Sequence, residues 1–156
     1  AQCLVGSEMC IRDRYIPAAY IKNEYQKLDI YKRISAIETE EEYMDMQDEL
    51  MDRFGDIPRS VANLLMIAAL RALAHKAYVT EVMVNRQEVR LLMYQKARIQ
   101  VDKIPELVQS FKGDLKLVPG EVPSFHYVDR RNKNQDSLAM VEKAKEILKG
   151  LCGLRL

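Results

Sequence analysis

Histidine and cysteine are scarce in this sequence, with two of the first and three of the second among 156 residues. Cys3, Cys10 and Cys152 form no Cys-x-x-Cys pair, and His75 and His126 lie far apart. That pattern supplies no zinc ligand set. An odd number of cysteines fits a reduced setting better than a disulfide framework. The six glycines are scattered. None opens a phosphate loop ending in Lys-Ser/Thr, and no Gly-x-Ser-x-Gly elbow exists. Two histidines leave little for Ser-His-Asp chemistry. His75 reads as a capping or surface residue at a helix end. His126, between Phe125 and Tyr127, reads as a half-exposed strand residue. The longest uncharged run lies within residues 60–70, short of the ~20 residues that span a membrane. We therefore expect no catalytic, metal or cofactor-binding residue in this chain, no membrane partner and a cytoplasmic location.

What is present is an ordinary globular composition, 48% hydrophobic and 30% charged. The net charge of +1 argues against a generally basic nucleic-acid binder, but it hides a segregation. Residues 38–56 hold nine acids and one base, Arg53, and so carry −8 against +9 for the rest. Such separation makes a one-sided electrostatic surface.

Residues 1–14 have no clear period. They read as a translated sequencing-adapter string, set apart from the fold, and the natural chain is expected to continue on that side. The fold is expected over 15–151, with a tail at 152–156. Ile16 precedes Pro17 and should be extended. A helix over about 22–37 carries Tyr25, Leu28, Ile30, Tyr31, Ile34 and Ile37 as its apolar stripe. Thr39 and Glu42 make a capping box for a second helix ending near Phe54, with Tyr43, Met46, Leu50, Met51 and Phe54 buried. Gly55 suits a left-handed helix stop, and Pro58 the first position of the next helix. That third helix, to about Ala77, is apolar nearly all round and should be buried.

Beyond Ala77 the period changes. Val79–Val84 and Val89–Tyr94 read as strands joined around Asn85-Arg86-Gln87. Asp102 should cap a short helix through Phe111, with Pro105 in its first turn. Asp114–Val118 and Ser124–Val128 read as two more strands, and Asp136 or Ser137 caps a last helix. The class is α+β, three helices followed by a small antiparallel or mixed sheet with two further helices.

Two surface features stand out. On the second helix Asp45, Asp48, Glu49 and Asp52 share one exposed face. Glu49 and Asp52 sit near the negative helix end, and Asp45–Glu49 and Asp48–Asp52 are like-charge pairs at i, i+4. Such a face is either simply solvated or, because these acids are placed against local physics, turned toward an external basic partner, and Arg53 offers a forked donor beside them. The second feature is the basic loop Arg130-Arg131-Asn132-Lys133-Asn134, a polar turn or a phosphate contact.

Tyr15-Ile16-Pro17, Leu28-Asp29-Ile30-Tyr31-Lys32-Arg33-Ile34, Glu49-Leu50-Met51-Asp52-Arg53-Phe54-Gly55-Asp56-Ile57-Pro58 and Asn63-Leu64-Leu65, in this order and spacing, resemble the C-terminal domain of the bacterial transcription-repair coupling factors, the Mfd family. The resemblance covers about 15–151, and its distal strands match in pattern only. It implies a larger ATP-driven DNA translocase, with ATP and Mg in motor domains outside this chain, that removes stalled RNA polymerase and recruits UvrA. It implies a non-catalytic domain that packs on a UvrB-like N-terminal module, masks UvrA binding and keeps the enzyme autoinhibited. It places the docking contact on Glu49, Asp52 and Arg53, with Phe54, Gly55 and Pro58 shaping the turn. RNA polymerase, UvrA and duplex DNA are then indirect partners. The alternative is a nucleic-acid-binding accessory domain using Arg130, Arg131 and Lys133.

Overall fold

Local signals set the helix boundaries. In the computed structural model, which describes residues 14–130 and 137–156, Asn23 caps helix α1, Glu24–Ser35, by accepting from Gln26 N. Helix α2, Glu40–Phe54, carries the complete capping box. Thr39 Oγ1 accepts from Glu42 N at 3.1 Å, and Glu42 Oε2 accepts from Thr39 N at 3.3 Å. Helix α3, Arg59–Lys76, starts one residue after Pro58, whose carbonyl accepts from Val61 N and Ala62 N. Pro58 thus stands just ahead of the first helical residue, a one-position shift from the expectation.

The chain divides into two compact units, and the division falls within α3. The helical unit ends at Ala72. Its core joins Ile16, Ile21, Ile30, Ile34, Ile37, Met46, Leu50, Val61, Leu65 and Ala68. The apolar stripes are narrower than their sequence spacing suggests. Tyr25 is 86% exposed and Leu28 54%, on the side of α1 away from Ile30 and Ile34. Met51 on α2 is also exposed. A helix of this size buries one stripe only, and Ile30/Ile34 and Met46/Leu50 occupy it.

The second unit runs from Leu73 to Leu156. Its four strands are β1 (Val79–Val84), β2 (Glu88–Met93), β3 (Leu115–Val118) and β4 (Ser124–Val128). The sheet order is β1-β2-β4-β3 and every neighbour is antiparallel. Period-2 alternation puts Val82, Leu91 and Phe125 in one buried cross-strand row, and Val84, Val89, Tyr127 and Leu115 in the next. Helix α5, Ser137–Gly153, packs on β1 and β2 and buries Val141, Ala144, Ile147 and Leu148. Helix α4, Ile104–Ser110, packs on β3 and holds Pro105 in its first turn. Asp102 does not cap α4. It lies inside a 3₁₀ turn, Val101–Lys103, and neither Gln100 nor Lys103 makes a side-chain cap. Of the two residues expected to cap α5, Asp136 lies outside the described residues and Ser137 is the first residue of the helix. Residues 152–156 continue the unit. Leu154 is buried, its carbonyl accepts from Gln100 N at 2.7 Å, and Leu156 N donates to Arg98 O.

The arrangement is the α+β order expected, three helices, then a four-stranded antiparallel sheet with two more helices.

Candidate interdomain docking turn

The end of α2 is a braced corner. Tyr20 sits in the turn after Pro17, half-buried against the helical core. Its single hydroxyl proton serves two acceptors, Leu50 O at 3.1 Å and Gly55 O at 2.9 Å. The last turn of α2 and the residue that leaves it are thereby tied to one phenol. Phe54 tilts against the Tyr20 ring, with centroids 5.8 Å apart. The Arg53 guanidinium lies over Phe54, 4.9 Å from its centroid, a cation–π contact that flattens Arg53 along the corner. Gly55 closes the helix at φ 89°, ψ −160°. The sign of φ is as expected, but the ψ is extended rather than left-handed helical, a region in effect restricted to glycine.

The acids of α2 fall into two groups. Glu49 is held within the chain. Its Oε2 meets Arg33 of α1 at 2.5 Å and Arg53 at 3.8 Å, and Arg33 also reaches Asp29 at 4.0 Å. The contacts to Glu49 Oε2, a buried atom, are ionic and lack hydrogen-bond geometry. Arg33, like Tyr20, is a bracing residue of this corner that the sequence did not single out. It lies beside the apolar stripe of α1, and only the packing of α1 on α2 aims it at Glu49. Asp45, Asp48 and Asp52 are exposed, and none makes an ion pair among the described residues. The like-charge strain at Glu49 is therefore relieved by its own chain, whereas that of the three aspartates is not. The structure brings Glu49, Arg53, Phe54 and Gly55 together around Tyr20 and Arg33, with Asp52 exposed one residue before Arg53.

Burial, and next the negative charge of Asp56, push the Tyr20 phenol above its ordinary value near 10. The neutral form is thus favoured by folding, so its stabilising contribution is present below the unfolded-state pKa and is lost as pH rises through the folded one. Tyr20→Phe is expected to cost about 1–2 kcal/mol near neutral pH, from the two lost acceptor contacts. It should also remove part of the alkaline loss of stability expected in denaturant titrations above pH 10.

The other predicted features are dispersed. Arg130 is exposed just past β4, while Arg131 and Lys133 lie outside the described residues. His75 is exposed. His126 is half-buried, with Nε2 3.0 Å from Ser124 Oγ. Burial pushes the Cys152 thiol up, against the lowering effect of Lys76 and Arg155, so it is a poor nucleophile. Among the described residues no group of three or more His, Cys, Asp or Glu is placed to hold a metal. No described helix is long and apolar enough to cross a membrane.

The family model of the TRCF domain matches residues 12–104, which contain the whole of this corner. The chain is 37% identical over 90 residues to the transcription-repair-coupling factor of Bacillus subtilis, covering 58% of this chain and 8% of that protein. It is 31% identical over 135 residues to that of Borreliella burgdorferi, covering 86% of this chain and 12% of that protein. This chain thus spans about a tenth of the length of the curated relatives it matches. A solved structure described as the C-terminal domain of transcription-repair coupling factor matches with a TM-score of 0.63 and 23% identity, over 95% of this chain and 94% of that one. The fold is shared over 95% of the chain, the family model covers the corner, and the chain belongs to the transcription-repair coupling factor family, of which it carries the TRCF domain.

Proposed function

We propose that this domain is a non-catalytic regulatory clamp. The end of α2 docks on the UvrB-like module of the longer protein, masks its UvrA-binding surface and keeps the ATP-driven translocase at rest. Contact with UvrA, RNA polymerase and duplex DNA is then indirect, through the parent protein. One observation carries this reading. Asp48 and Asp52 stand exposed and unneutralised on a corner that Tyr20, Gly55 and Arg33 hold rigid. Acids preorganised in this way attract a basic surface without further ordering cost. Asp52 pairs with a base of the module. Arg53, pinned over Phe54, presents its free edge to an acid or carbonyl. Glu49 takes part as the strut between Arg33 and Arg53 rather than as a bare acid.

That role decides the test. Glu49→Arg would put a third guanidinium between Arg33 and Arg53 and disturb the corner itself, so Asp52→Arg is the cleaner probe. Binding of the chain to purified UvrB-like module should weaken at least tenfold in Asp52→Arg, about 1.4 kcal/mol or more. The wild-type affinity should fall with salt. In the full-length protein the same change should raise UvrA capture. Unaltered affinity for the module in Asp52→Arg would sink the clamp.

A further inference from the structure

Helix α2 has two flanks, and they differ. At about 100° per residue, Glu49 and Met51 lie on opposite sides of Leu50, which points into the core with no exposed surface. The Glu49 flank is closed by Arg33 of α1. The other flank is open. Met51 is 52% exposed on it. Met44, seven residues earlier and so two turns away on the same flank, is 57% exposed. Asp48 falls between them, three and four residues from each, and is exposed too. Asp45 and Asp52 border this row on the outer side of the helix. Single exposed apolar side chains are ordinary on a protein surface. Two methionines stacked at two-turn spacing, within the segment that carries −8, make a different surface, because local charge and local apolarity coincide.

Each element of this row has a chemical counterpart. Methionine is unbranched and polarisable, and it moulds to an apolar ridge without a fixed shape of its own. The aspartates around it require cations bordering that ridge. A phosphate backbone is excluded by the sign of the charge. An apolar element without bases would leave Asp48 desolvated and unpaired, which is costly.

We infer that the Met44–Asp48–Met51 flank is the seat for an amphipathic basic element, an apolar ridge edged with Lys or Arg, on the UvrB-like module. This rests on the docking function proposed above and adds to it. The hold comes from apolar burial by two methionines as well as from ion pairs at Asp52, so part of the affinity should survive at high salt, where exposed ion pairs are screened.

The test follows methionine methyl groups by NMR. The 156-residue chain, with its eight methionines labelled at the ε-methyl carbon, is titrated with the UvrB-like module at low and high salt. Resonances are assigned through single Met→Gln variants. Met44 and Met51 should shift or broaden on addition of the module, while the buried Met46 and Met93 stay in place at early points. Met44→Gln/Met51→Gln keeps good helix formers at exposed positions, so its thermal midpoint should match the wild type while its affinity falls at least tenfold. Binding of the module that leaves the Met44 and Met51 methyls unmoved, or an unweakened double variant, overturns the methionine seat and leaves the clamp standing. Absence of any binding by the wild-type chain overturns both. If the two methyls shift on raising the concentration of the chain alone, their occupant is a second copy and the assignment to the module is wrong.

Discussion

Leu50→Ala is expected to destabilise the helical unit by about 2–5 kcal/mol, whereas Met51→Ala should change it by less than ~0.5 kcal/mol. The two residues are neighbours of similar size and hydrophobicity, and each falls within an apolar stripe drawn from the sequence. Their surroundings separate them. Leu50 has no exposed surface and sits in the cluster of Ile30, Ile34, Met46, Val61 and Leu65. Truncation there removes buried methyls and leaves a cavity that the neighbouring helices close only in part. Leu50 also lends its carbonyl to Tyr20, so any shift of the helix end propagates to the corner that Tyr20 braces. Met51 keeps half its surface in solvent, and alanine is the better helix former. Its cost should appear instead in binding. Chemical denaturation of the two variants, followed by far-ultraviolet circular dichroism, checks the contrast directly. Equal destabilisation of both would mean that the flank carrying Met51 is covered.

The second large effect is at Gly55. Gly55→Ala should cost about 1–3 kcal/mol, and Gly55→Asn should not restore it. A β-carbon built there meets nothing within 4 Å, so crowding contributes nothing. The cost is in the dihedral angles, φ 89° with ψ −160°. Asparagine tolerates the left-handed helical region, which is the conformation of an ordinary glycine helix stop. It has no such tolerance where ψ is extended. A rescue by asparagine would show that the corner relaxes to the ordinary stop. Both variants should also weaken docking beyond what their stability loss accounts for, because the Gly55 carbonyl is one of the two acceptors that Tyr20 holds. Thermal melts run beside module titrations separate these two losses.

Much of this molecule was decided within a few residues along the chain. The Thr39–Glu42 capping box, the positive φ at Gly55, the Pro105 first turn, the hairpin around residues 85–87 and the α+β order were all legible in the sequence. Each depends on steric or hydrogen-bonding preferences over three or four residues, and packing did not override them. The acid excess of residues 38–56 and the family were legible for the same reason, since charge and motif need no fold to be read.

Tertiary structure decided what depends on residues brought together from a distance. Spacing drew stripes broad enough to include Tyr25, Leu28 and Met51, and only the packed core chose which part of each stripe to bury. Strand order β1-β2-β4-β3 turns on the pairing of β2 with β4 across residues 94–123, which no local pattern encodes. Asp102 reads as a cap, yet the chain enters α4 through a 3₁₀ turn that takes Asp102 into itself and puts Lys103 at the cap position. Tyr20 and Arg33, the two residues that brace the corner, lie 29 and 16 positions before Glu49 and carry no signal of that role. A hydrogen bond or ion pair at such separation exists only once the core has set the angle between its helices. The sequence alone therefore identified the acidic turn, and the packing of the helical core divided it into a flank held by its own chain and a flank left exposed.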